Sequence, residues 1–181
     1  MKGKTLAVGL ASILVSTVAT GASAEGAGDM KYGTRVVAQG FESSSGYSAY
    51  MCEGSGVWAK KAKYYTKTGD YRSDVDVFYS EAGNSERVYT IRPNGDVVKH
   101  GSTYVVAKLG YVGGAASVTV TVSDPSGIKR GSVTWTPLTG GFYNAQGASI
   151  GTYGRAADGD MRMLAFTFFY LAKEHGCLSS R

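Results

Sequence analysis

The segment from residue 116 to residue 136 restricts the fold more than any other. Val118, Val120 and Val122 alternate with Thr119 and Thr121, and Gly131–Thr136 follows as a second run carrying Trp135. A period of two sends successive side chains to opposite faces, so this pattern suits a sheet with one dry and one wet side. The four residues between the runs, Asp124-Pro125-Ser126-Gly127, place Asp first, Pro second and Gly fourth, as a type I turn requires. A second hairpin is expected where Arg87–Arg92 turns through Pro93-Asn94-Gly95 into Asp96–His100, because Asn-Gly tolerates positive φ.

Further short strands are expected at Arg35–Gln39, Tyr47–Cys52, Val75–Ser80 and Thr103–Leu109. No internal repeat or linker divides the chain, and its 26 glycines are spread evenly. About eight short strands separated by Gly and Asn predict an antiparallel β-sandwich or β-barrel. One segment breaks the period. Met161–His175 contains neither Gly nor Pro and is long enough for about four helical turns. Asp158-Gly159-Asp160 offers an acidic cap before it and Gly176 a stop after it. Met161, Leu164, Ala165, Phe168, Phe169, Leu171 and Ala172 form one broad apolar face, yet Met163, Phe166 and Tyr170 lie on the other side. Such a helix packs on both sides. The expected class is all-β with one C-terminal helix.

The N-terminus reads as a signal peptide over residues 1–24. Lys2 and Lys4 precede an apolar run from Thr5 to Val18, which closes on Ala22-Ser23-Ala24. Residues 25–181 then form a single β-rich domain, with no later stretch apolar enough for a transmembrane segment. The expected location is periplasmic or secreted. The formal net charge of +5 falls further once the two lysines are removed, well short of the basic stripe of a nucleic-acid binder. Partners expected for an exported, mildly basic protein are an envelope glycan, an anionic surface or another exported protein. The 2 cysteines, Cys52 and Cys177, are expected to form a structural disulfide, because a redox pair is usually close in sequence and free thiols are rare in an oxidising compartment.

No catalytic residue stands out. Gly147-Ala148-Ser149-Ile150-Gly151 matches the G-x-S-x-G elbow, with Asp158 or Asp160 and His175 following in the order of an α/β-hydrolase triad. The elbow needs a strand before the serine and a helix directly after it, and Thr152-Tyr153-Gly154-Arg155 has no helical period. Asp70, Asp74 and Asp76 lack the Gly and Glu of a calcium loop, and His100 and His175 lack zinc-ligand spacing, so neither a metal nor a cofactor is expected. The most distinctive patch is Trp58, Lys60, Lys61, Lys63, Tyr64, Tyr65 and Lys67, which interleaves cations with aromatic faces suited to an anionic or sugar-rich partner. The function expected is binding by an exported, disulfide-closed protein of the bacterial cell envelope, including inhibition of another protein. The alternative is a small secreted hydrolase acting on envelope polymers.

Several local features occur in a familiar order: Tyr32-Gly33, then Tyr50-Met51-Cys52, then DVDVFYS from Asp74, then VVKHGSTYVVAKLG from Val97, and last a helix ending on Cys177. In this order the chain resembles, over residues 32–177, the invasion-associated locus B family of exported β-sandwich proteins from α-proteobacteria. It departs from that family in lacking a Trp after Tyr32-Gly33 and in its Gly-rich stretch 139–154. The resemblance implies a non-enzymatic envelope protein linked to host-cell invasion, and it brings no catalytic residues.

Overall fold

The computed structural model describes residues 28–52, 63–67, 69–81 and 83–178. The expected signal peptide lies outside them. Twelve strands follow one another in a simple meander: β1 (Asp29–Tyr32), β2 (Arg35–Ser43), β3 (Gly46–Met51), β4 (Lys63–Thr66), β5 (Val75–Glu81) and β6 (Asn84–Ile91), then β7 (Asp96–Lys99), β8 (Val105–Gly113), β9 (Val118–Ser123), β10 (Lys129–Trp135), β11 (Gly140–Asn144) and β12 (Ser149–Tyr153). Each pairs antiparallel with the next, and β1 pairs with β12, so the sheet closes into a barrel. This corrects the expected count of about eight. All eight expected strands are present; β1, β4, β11 and β12 are the additions.

The C-terminal helix explains why twelve strands are needed. It runs as α1 (Met161–Phe166), a π-helical turn (Thr167–Leu171) and α2 (Ala172–Glu174), close to the expected 161–175. Met163, Leu164, Phe166, Phe168, Leu171 and Ala172 have no exposed surface at all. They pack against the inward residues of the strands, among them Val75, Val77, Ile91, Val97, Val120 and Val133. A barrel of about eight strands is filled by its own side chains, whereas a wider one leaves a lumen. Here the lumen is filled by the helix, which is why Met163 and Phe166 are apolar on its second side as well.

Glycines let the strands approach the helix. A Cβ at Gly131 on β10 would collide with the Phe169 ring, and one at Gly151 on β12 would collide with the Lys31 carbonyl of β1. Gly151 thus permits the strand contact that closes the barrel. Phe142 of β11 stacks on Phe168 with ring centroids 3.6 Å apart. Gly140 and Gly141 of β11 instead make room for the Tyr153 ring and the Gly151 carbonyl of β12.

The two expected turns form as read. Gly95 and Gly127 have φ of 89° and 91°, and their N–H groups donate to the Arg92 and Asp124 carbonyls. At the other end of the helix Asp160 is the cap, accepting from the Met163 N–H at 2.9 Å. Asp158 serves elsewhere, accepting from Trp135 Nε1. Cys52 and Cys177 are bonded, joining the end of β3 to the chain just beyond α2. The barrel therefore has a capped end, near Asp160, and a disulfide end.

No helix among the described residues is long and apolar enough to cross a membrane. Apolar residues face in on β5, β6 and β9, while Asp76, Arg87, Thr90, Thr119 and Thr121 occupy alternate, less buried positions.

Candidate functional site

Strand β4 divides the expected Lys–aromatic patch between two environments. Tyr64 and Thr66 are buried, while Lys63 and Tyr65 lie on the opposite face. Trp58, Lys60 and Lys61 fall outside the described residues. On the outer face, Lys63 stands opposite Tyr50 of β3, and Tyr65 opposite Phe78 of β5. The Tyr65 and Phe78 rings stack at 5.3 Å, with 17° between their planes. Lys63 Nζ lies 5.6 Å from the Tyr50 ring centroid and 5.1 Å from that of Tyr65. Lys67 Nζ lies 4.7 Å over Phe78. Phe41 of β2 extends the row, edge-on to Tyr50. The Tyr65 hydroxyl is hydrogen-bonded to the Ser85 hydroxyl at 2.6 Å.

The result is one wall across β2–β5 in which rings and ammonium groups alternate. Each cation–π contact contributes about 0.5–1 kcal/mol at an exposed site, enough to bias the lysine heads toward the rings. Cations gathered at this wall attract anionic groups, and the aromatic rings offer stacking area to sugar rings. Phe41, Tyr50 and Phe78 belong to this wall, and sequence reasoning missed them because cross-strand register sets their place. The signal available was the alternation Ser48-Ala49-Tyr50 and Val77-Phe78-Tyr79, which puts one aromatic of each strand on the wet side.

Tyr64 serves the interior. Its hydroxyl is hydrogen-bonded to His175 Nε2 at 2.7 Å, and Tyr79 stacks near the same imidazole. Tyr89 donates to Glu174 Oε2 at 2.8 Å. Burial, and then the Glu174 charge, push the Tyr64 and Tyr89 hydroxyls above their ordinary range, so both are neutral hydrogen-bonding groups. These contacts tie the last helical turn to β4 and β6. A shallow hollow of about 370 Å³ opens beside them, between Tyr79, Tyr89, Lys99 and His100.

The remaining candidates are dispersed. Ser149 opens β12 after a hairpin in which Gly147 N–H donates to the Asn144 carbonyl. That is a strand-to-strand turn, lacking the helix of a nucleophile elbow. His175 is engaged by Tyr64, Asp158 by Trp135, and Asp160 by the helix. Asp76 pairs with Arg87 at 2.8 Å and accepts from Thr90, while Asp70 bonds the Arg72 N–H. Among the described residues no group of three or more His, Cys, Asp or Glu is placed to hold a metal ion.

No family model, curated protein or solved structure matches this chain.

Proposed function

We propose that the protein is an exported binding protein of the bacterial cell envelope, acting through the outer wall of β2–β5. The observation that carries this reading is the alignment of Lys63, Tyr65, Lys67 and Phe78, with Tyr50 and Phe41, on one face. Its partner is an envelope glycan, an anionic surface or another exported protein; the resemblance to the invasion-associated locus B family adds a host-cell surface to that class. The Cys52–Cys177 bond accords with an oxidising compartment. A lumen occupied by the helix argues for recognition on the outside of the barrel. Binding is preferred to hydrolysis because Ser149 sits in a strand-to-strand turn while His175 and the two acids are engaged by separate structural partners.

The test is charge reversal at Lys63 and Lys67, titrated against envelope polysaccharide and anionic liposomes at two salt concentrations. The screening length falls from about 10 Å at 0.1 M to about 3 Å at 1 M salt. The double variant should bind about tenfold more weakly at low salt, with a much smaller deficit at high salt. Its melting temperature should stay within a few degrees of the parent, because exposed charge pairs contribute only about 0–1 kcal/mol. Equal affinity of parent and variant for every ligand would reduce the wall to a solvated surface.

A further inference from the structure

The helix changes character near the disulfide end. From Thr167 to Leu171 it widens into a π turn, a departure that recurs at functional sites. Phe169 and Tyr170 in this turn keep some exposure, while Phe168 and Leu171 beside them have none. Between these two rings and the ends of β8, β9 and β10 lies an open-mouthed cavity of about 560 Å³. Val106, Ala107, Val122 and Pro125 make its walls apolar. Its size falls within the range of about 300–1,000 Å³ typical of small-molecule sites.

Four charged residues ring the mouth: Asp124, Arg130, Lys173 and Glu174. Each acid has a fixed partner, though only Asp124 has a cationic one. Asp124 accepts from the Ser126 hydroxyl at 2.6 Å, the Ile128 N–H at 2.9 Å and Arg130 Nη2 at 2.8 Å. Glu174 accepts from the Tyr89 hydroxyl. Lys173 is exposed on the last helical turn and has no ion-pair partner among the described residues. The four charges cancel in sum, and what distinguishes Lys173 is that its side chain alone among them has no hydrogen-bond or ion-pair partner among the described residues, so its ammonium is the one charged group free to meet a ligand beside the apolar walls.

We propose that this cavity binds a single-chain amphiphile with an anionic head, its alkyl chain lying along Val106, Ala107, Val122 and Phe169 and its head on Lys173, with Arg130 beside it. Such a ligand matches both halves of the site, since the chain covers apolar surface and the head meets the unpaired cation. The site is separate from the outer wall, so each reading stands or falls by itself.

The disulfide-bonded protein is titrated with decanoate, and with decyltrimethylammonium as the same chain under a cationic head. Amide resonances report the position of binding. Decanoate should bind saturably, perturb Val106, Ala107 and Val122, and bind about tenfold tighter than the cation. Lys173→Glu, at an exposed position, should remove most of that preference. Ala107→Leu should weaken both ligands by filling the wall, and Ala107→Val serves if the larger side chain impairs folding. Lys63→Glu with Lys67→Glu should leave decanoate affinity unchanged. Perturbations mapping elsewhere, equal affinity for the two heads, or indifference to both Lys173→Glu and the Ala107 variant would overturn the proposal. Binding to phosphatidylglycerol vesicles but not to monomeric decanoate would also overturn it, in favour of a membrane surface.

Discussion

Asp160 is the residue with the most conflicting demands. It is buried, it caps the helix through the Met163 N–H, and it accepts the Tyr71 hydroxyl at 2.7 Å. Arg162 lies over the Tyr71 and Tyr111 rings, 4.4 and 5.0 Å from their centroids. Burial raises the Asp160 carboxyl above its ordinary range, and the hydrogen bonds only partly offset it. The folded state therefore holds this proton more tightly than the unfolded state does. Its contribution to stability is fully present below the ordinary carboxyl value and is lost as pH rises through the raised one. Asp160→Asn keeps an acceptor for Met163 and removes the buried charge, so at pH 7 it should be neutral to slightly stabilising and should flatten the acid limb. Asp160→Ala leaves the first turn and Tyr71 without their acceptor and should cost about 1–3 kcal/mol. Urea denaturation from mildly acidic to neutral pH measures both. A larger loss in Asn than in Ala would contradict this account.

At the scale of elements, the helix and the glycine-bearing strands form one unit. Gly131 lies under Phe169, and Gly151 lies under the Lys31 carbonyl with Phe168 close by. Gly131→Ala should cost about 1–3 kcal/mol by overpacking against the Phe169 ring. Gly151→Ala should cost at least as much, because the obstacle is backbone in the β1–β12 pairing that closes the barrel. Thermal melts give the sizes, and hydrogen exchange should show the second loss concentrated in β1 and β12. The exposed Gly147, with open space around its Cα, is the comparison position, although its φ of 86° adds its own strain to any replacement. β5 and β9 were legible because Val recurs at every second place, and the other six because short runs rich in β-branched and aromatic residues lie between turn signals. The four others were not. β11 and β12 carry Gly140, Gly141 and Gly151, which interrupt the alternation, and β1 and β4 are only 4 residues long.

For the whole molecule, the disulfide is the one covalent constraint between the barrel wall and the end of the plug. It spans 125 residues, and the chain-entropy model assigns a loop of that length about 5 kcal/mol, before any native-state cost. Arg35 adds a hydrogen bond to the Cys177 carbonyl. Replacing Cys52 and Cys177 together by Ser should lower stability by about 2–5 kcal/mol. The opening should begin at α2, where Lys173 and Glu174 already face water, and shorten hydrogen-exchange lifetimes at His175 and Gly176 first. A loss below about 1 kcal/mol would mean that packing of Phe166, Phe168 and Leu171 in the lumen holds the helix without the bond.

The alternating strands, the two Gly-terminated turns, an acidic cap within Asp158-Gly159-Asp160, the extent of the helix and its two-sided burial all follow from the sequence alone. Each is a local matter of φ preference, side-chain period or capping chemistry within a few residues. The pairing of Cys52 with Cys177 also followed, because 2 cysteines allow a single intramolecular bond. Tertiary structure alone decided the closure of β1 on β12, the count of twelve strands and the place of the helix inside them. It also decided that Tyr64 turns inward to His175 while Tyr65 joins Phe78, Tyr50 and the lysines outside. Those outcomes depend on register between strands and on the volume a buried helix requires. Both are properties of pairs of segments distant in the chain, and no window of neighbouring residues contains them.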